Sequence, residues 1–395
     1  MKMAKTALVI AAVSAISVAA GMLALPTYCD PRRSSASPAA VAPRYRMVAL
    51  PVPHGYVGLT ITGLNNRGQV VGSLERGGYH SRAFVWSAGR FTLLPPGKYR
   101  QDTASAINDA GIVAGQTDET TAGAITSTST AAWVWRNGRR TYLPALSNRP
   151  DTAVTAVNEQ GDVLGAAWND WRDDLGAEVS GVTPHACLWH PGAAGSADLP
   201  VTELSNGPAV AFDALGSIYV LDTHQETFAA ATAAGTPYND SANRLLRLVC
   251  RPDHPDAIHR ENLLNAVAVA VSPKNGWIVG SSFLKTTDRR GLIKSGPFVY
   301  QSGRITPLTF EPRAVNSSGW ITGMISDGNR YIRAVVRVHG HLYELNRLVD
   351  KLPHGFRPVM ATAINERGDI VAEILDTRRP DFEPDTTRSV LLVRR

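Results

Sequence analysis

The stretch from Ala106 to Gly115 reads Ala-Ile-Asn-Asp-Ala-Gly-Ile-Val-Ala-Gly. Asn108 in the first turn position and Gly111 in the fourth are the signature of a type I turn closed by a left-handed glycine. The apolar residues on either side are then the ends of two strands meeting in a tight hairpin. The same pattern recurs at Ile61 to Gly72, Ala156 to Gly165, Ala211 to Val220, Ala270 to Gly280, Ala314 to Gly323 and Ala363 to Ala372. Between the turn positions Asn65, Asn108, Asn158, Asp213, Ser272, Asn316 and Asn365 the spacings are 43, 50, 55, 59, 44 and 49 residues. A period of that length means one supersecondary unit per repeat, stacked on its neighbours.

Each unit has a second half. After the second copy come Ala131 to Trp135, the turn Arg136-Asn137-Gly138, and Arg140 to Leu143, a second tight hairpin. Equivalent segments are Ala83 to Leu94, Ala186 to Leu199, Pro297 to Leu308 and Ala334 to Leu345. Four short strands in meander order at this period predict an all-β fold, a β-propeller of seven four-stranded blades. The last copy stops at Arg394-Arg395, where its second turn should be. Met47 to Pro51, in turn, matches Phe91 to Pro95, the fourth strand of the first full unit. The segment 45–50 is therefore expected to complete the last blade, which leaves no long open sheet edge.

Ahead of the repeats, Lys2 and Lys5 precede an uncharged apolar run from Thr6 to Leu25. This reads as an export signal, with Val18, Ala19 and Ala20 available for a cut before Gly21, or as an uncleaved anchor of membrane-spanning length. Residues 1–28 are assigned to that segment, 29–43 to a Pro/Ser/Ala tether with nothing to bury, and 44–395 to the repeats. A periplasmic or extracellular location follows, with membrane contact through the N-terminal segment alone. The net charge of +6 falls to +4 without Lys2 and Lys5, and the basic residues are scattered, so no nucleic-acid partner is expected.

The three cysteines, Cys29, Cys187 and Cys250, form no C-x-x-C pair. Cys187 and Cys250 fall on equivalent strands of consecutive repeats, where they are either buried thiols or a bridge formed in an oxidising compartment.

These residues resemble the bacterial extracellular repeat family called HAF, named for a His-Ala-Phe triplet opening the third strand. Fragments of the triplet stand at His185-Ala186-Cys187, at Ala83-Phe84 after His80, and at Pro297-Phe298. The Ala-Ile-Asn-x-x-Gly-x-Val-x-Gly turn and the run from Leu345 to Asp350 before Ala363-Ile364-Asn365 match more closely. Asp213 and Ser272 depart from the pattern. The resemblance spans about Tyr45 to Val393 and implies an exported repeat protein, with no catalytic residue to transfer.

Because both tight hairpins join strands one to two and three to four, they all lie on one face of the ring. The variable connections must all lie on the other, and binding residues tend to occupy such loops on a rigid scaffold. In the third blade, Trp168, Asp170, Trp171, Asp173 and Asp174 set two indoles among carboxylates, a composition that stacks on sugar rings or simply pins a long loop. The fourth-blade insert carries His224, Glu226, Tyr238, Asn239 and Asp240. In the fifth, Lys285, Asp288, Arg289, Arg290 and Lys294 form a basic cluster for an anionic glycan or a lipid head group. In the seventh, Asp381, Glu383 and Asp385 alternate, so they can hold Ca²⁺ or be neutralised by Arg378, Arg379 and Arg388.

The turn asparagines are explained by turn geometry alone, and Trp86, Trp135 and Trp189 by blade packing. His339-Gly340-His341 reads as a turn rather than a metal site. No nucleophile, zinc, phosphate or dinucleotide fingerprint is present, and no cofactor is expected. Three readings remain: a binding module taking a glycan or protein ligand on the long-loop face, a polysaccharide-acting hydrolase or lyase drawing on Asp170, Asp173, Asp174, Glu226 and Asp385, or a purely structural surface repeat with no ligand.

Overall fold

Alternation along a strand sorts its side chains to two sides, and in this chain both sides are buried. The computed structural model describes residues 42–78, 80–119, 129–168, 184–190, 201–205, 207–223, 243–251, 254–264, 266–287, 293–326, 332–378 and 387–395. Among them there is no α-helix; the strands form seven antiparallel meanders. The first strands of the blades are Gly58–Leu64, Gln101–Ile107, Asp151–Val157, Ala209–Phe212, Ala266–Val271, Glu311–Val315 and Phe356–Ile364. Each touches the next, and the last touches the first, so they surround a common axis. This is the expected seven-bladed propeller.

The core is divided among the seams between blades. Val71, Ala83 and Val85 of the first blade meet Ala104, Val113 and Trp133 of the second. The residues between them, Val70, Phe84 and Trp86, turn the other way and meet Val371 and Leu391 of the seventh. Seven such clusters follow one another round the ring. Each fully buried Val, Leu or Phe contributes about 1.5–3 kcal/mol, so the ring is held mainly by apolar area between neighbouring sheets.

Closure follows the expectation. Tyr45–Ala49 runs antiparallel to Thr387–Arg394, with Arg46 opposite Val393 and Ala49 opposite Val390. The structure adds a strand that the repeat pattern does not contain: Val349–Asp350 pairs in parallel with Tyr45 and Arg46, making this sheet five-stranded. It follows a 3₁₀ turn, Leu345–Arg347. Backbone bonds from Tyr45 N–H to Leu348 (2.9 Å) and from Arg395 N–H to Arg44 (2.9 Å) fasten the two ends together.

The first strand of every blade carries a register shift at an equivalent place, skipping Thr62, Ser105, Thr155, Val210, Val269, Arg313 and Thr362, and the seventh has a second shift that skips Val359. The last glycine of the repeat motif sits opposite the shared bulge. At Gly115 an added Cβ would stand 2.1 Å from the Thr103 carbonyl and 2.6 Å from the Trp133 ring. Close backbone approach thus explains a glycine that turn geometry leaves unexplained. Val220 and Ala372 occupy the same position in the fourth and seventh blades.

The second hairpins of the first, second, fifth and sixth blades have positive φ at both central residues, as at Asn137 (52°) with Gly138 (78°) and His339 (46°) with Gly340 (86°). These are type I′ turns, and the His339-Gly340 pair is one of them. Trp86 and Trp189 are buried in seams, with Trp135 packed against one. Cys187 is a free, buried thiol, so it is not bridged to Cys250, and burial pushes its pKa up to about 12.

Candidate ligand-binding face

The turn asparagines do more than close their own turns, which corrects the expectation that local geometry accounts for them. Asn65 Oδ1 accepts from Arg67 N–H (3.1 Å) and Gln69 N–H (2.9 Å), the local part. Its Nδ2 donates to the carbonyl of Asn108 in the next blade (2.9 Å). Asn108 does the same to Asn158 (2.8 Å), Asn316 to Asn365 (3.1 Å), and Asn365 to Asn65 (3.1 Å). A second tier runs alongside: Asn66 N–H to Asp109 (2.7 Å), Asp109 N–H to Glu159 (3.1 Å), Ser317 N–H to Glu366 (3.0 Å) and Glu366 N–H to Asn66 (2.8 Å). The sixth, seventh, first, second and third blades are therefore laced in one arc on the tight-turn face. These groups are occupied with each other.

On the opposite face, Trp168 ends the second strand of the third blade, half-buried and directly across from Asp151. Of the residues singled out as ligand contacts, it is the one whose surroundings are described. Asp170, Trp171, Asp173, Arg289 and Arg290 lie outside the described residues, as do Asp174, Glu226, Asp288, Asp381, Glu383 and Asp385. In the seventh blade, Arg378 is held by both oxygens of Asp376, at 2.8 Å each, and Arg388 lies over Phe356.

Polar groups concentrate where the second and third blades meet, around Asp151, the residue paired with Trp168. Asp151 Oδ1 accepts from Thr130 N–H (2.7 Å), and Thr130 Oγ1 donates to Asp118 (2.8 Å). Asp118 is 5% exposed, and its Oδ2 has no hydrogen-bond partner. Burial pushes its carboxyl up to about 6; Thr130 and Gln116 oppose the shift by hydrogen bonding, and Asp102 and Asp151 add to it by repulsion. Asp102 is raised by burial against the pull of Arg140, which grips it at 2.9 and 2.8 Å and stacks on Trp133. Beside this set, Arg149 donates to His185 Nε2 (2.7 Å), while His185 Nδ1 faces Glu203. An arginine can only donate, so the His185 proton sits on Nδ1, toward the carboxylate. No three His, Cys, Asp or Glu side chains among the described residues converge as metal ligands.

This seam was legible in the sequence only in part. Trp168 stood out by composition, but Asp118, Asp151 and His185 lie in three strands of two blades, and nothing in their spacing joins them.

No family model matches the chain, and no curated protein matches it. Solved structures do. The β-propeller domain of the trilobed protease from Pyrococcus furiosus is similar at 10% identity and a TM-score of 0.50, over 82% of this chain and 93% of that one. That domain is described as having an open Velcro topology, whereas here Tyr45–Ala49 joins the last sheet. An acylaminoacyl peptidase in complex with Z-Gly-Gly-Phe-chloromethyl ketone is similar at 11% identity and a TM-score of 0.50, over 81% of this chain and 51% of that one. Acylaminoacyl peptidase from Pyrococcus horikoshii is similar at 10% identity and a TM-score of 0.49, over 80% and 50%. The chain spans about half the length of these whole peptidases. At such identities the likeness is one of fold.

Proposed function

We propose that the protein is an exported, HAF-like propeller that acts as a binding module, its long-loop face taking a glycan or protein ligand. The observation that supports the reading is a half-buried aromatic, Trp168, at a strand end of the variable face, paired with Asp151. On the same blade the Arg149, His185 and Glu203 side chains orient one another. An aromatic ring and oriented polar groups at one end of a blade offer stacking and directional contacts. In sequence, Asp170, Trp171 and Asp173 follow the Trp168 strand directly, and Arg289 and Arg290 follow the second strand of the fifth blade; these five lie outside the described residues.

The test is a panel of neutral and charged glycans and envelope extracts against the full chain and Trp168→Ala. A ligand is expected whose affinity falls about tenfold in the variant, the loss of one well-placed aromatic contact. Undiminished binding of every ligand found would remove Trp168 from the site. Burial raises the Asp118 carboxyl toward about 6, with Asp102 and Asp151 adding to the shift, and a raised carboxyl is the kind of group that serves as a general acid. Sugar release by the wild-type chain that disappears in Asp118→Asn would shift the reading to that activity.

A further inference from the structure

Nine residues before the turn asparagine, three consecutive blades carry an aromatic side chain: Phe356 before Asn365, Tyr56 before Asn65, and Tyr99 before Asn108. In the seventh and first blades the same Pro-His-Gly precedes the aromatic, Pro353-His354-Gly355-Phe356 and Pro53-His54-Gly55-Tyr56. Their backbones match too, with Gly355 at φ 82° and Gly55 at 86°, and the aromatic N–H bonded to the proline carbonyl at 3.1 Å in each. This second repeat enters the first strand from the variable face, on the side away from the asparagine lacing.

Each ring is half-buried and has a cation over it. Arg378 and Arg388 stand 5.1 and 5.7 Å from the centre of Phe356, Arg76 4.9 Å from Tyr56, and Lys98 4.8 Å from Tyr99. The four cations are exposed, and stacking holds their charged ends in place. Of the nearby acids, Asp376 is committed to Arg378, Asp102 is buried against Arg140, Glu75 is exposed beside Arg76, and Glu119 is near enough to Lys98 to help raise its pKa.

We infer that the variable face of the seventh, first and second blades is a binding track for an acidic polysaccharide, with one cation-on-aromatic subsite per blade for the carboxylates of the polymer. Repetition of one subsite on adjacent blades suits a ligand that itself repeats. Val52 and Val57, 44% and 70% exposed, flank Tyr56 and supply apolar surface for the C–H faces of sugar rings. Nucleic acid would need open aromatic faces for its bases, and here the protein's own cations cover them. The track rests on the binding-module reading and names its ligand class.

The experiment measures binding of polygalacturonate to the full chain, with dextran, a single-stranded oligonucleotide and phosphatidylglycerol vesicles alongside. The variants are Arg76→Ala/Arg388→Ala and, independently, Lys98→Ala; Arg378 is spared because Asp376 depends on it. Polygalacturonate is expected to bind, and its affinity to fall about tenfold in the double variant at an unchanged melting temperature. Equal affinity in both variants, no binding of the polyuronate, or tighter binding of oligonucleotide or vesicles overturns the track. Trp168-dependent binding of dextran without polyuronate binding would overturn the track and leave the binding-module reading standing. No ligand on either panel would remove both.

Discussion

Asn108 divides two tasks between the two atoms of its side-chain amide. Oδ1 closes its own turn by accepting from Ile112 N–H at 2.8 Å, and Nδ2 reaches the carbonyl of Asn158 at 2.8 Å. Asn108→Asp separates them, because it keeps the acceptor and sets a carboxylate oxygen against a carbonyl. It should cost about 2 kcal/mol in urea unfolding, the penalty of a broken buried bond, where a purely local role would leave stability unchanged. Asp118 gives a second test at this scale. Its folded pKa is raised to about 6 from the model-compound value of 3.8, so the folded state holds the proton longer than the unfolded chain. The stability this group contributes is full below pH 3.8 and is lost as pH rises through about 6. Asp118→Asn removes the titration, so its stability relative to wild type should rise by ~1 kcal/mol between pH 5 and pH 7.5. A pH-independent difference in thermal melts would show that Asp118 does not titrate in that window. Of these two residues the sequence pointed to Asn108 and its turn, since a turn is local. It was silent on Asp118, whose burial depends on packing from the next blade.

At the scale of the element, the repeat motif proves to encode a bulged hairpin. Its first glycine takes the left-handed turn position, at φ 83° for Gly111, and its last lies against the bulge. Gly115→Ala should destabilise by about 1–3 kcal/mol, because the bulge and the Trp133 ring must both move. An equilibrium denaturation curve matching wild type would show that the strand gives way freely, as the second blade would then resemble the seventh with its Ala372. Strand order and hairpin type were readable from Asn, Gly and the apolar alternation. The bulge was not, because one skipped residue leaves the alternation on either side unaltered in kind. The Pro-His-Gly-aromatic segments were present in the sequence at a constant distance from the turns, but short words of common loop residues mean little until the cations are seen above the rings.

For the whole molecule, closure joins residues more than 300 positions apart: Tyr45 pairs with Arg394 on one side and Val349 on the other. Removing the chain before Pro51 would uncover the edge of Thr387–Arg394 and leave the seam with the sixth blade without Tyr45, a fully buried member of it. Such a chain should lose cooperative melting and associate through the open edge, as read by calorimetry and size-exclusion chromatography. A monomer with a wild-type transition would show that the remaining blades close unaided. The amino-acid sequence by itself determined the repeat, the number of blades, the order of strands, the closing partner and the face on which variable loops gather. Each of these depends on contacts between residues close in the chain, or on a pattern that repeats. Only the tertiary structure decided that the asparagines lace blades together, that Asp118 is buried beside Asp151, and that cations sit over Phe356, Tyr56 and Tyr99. Those arrangements join strands of different blades or opposite ends of one hairpin, and distance in space is set by closing the ring rather than by spacing along the chain.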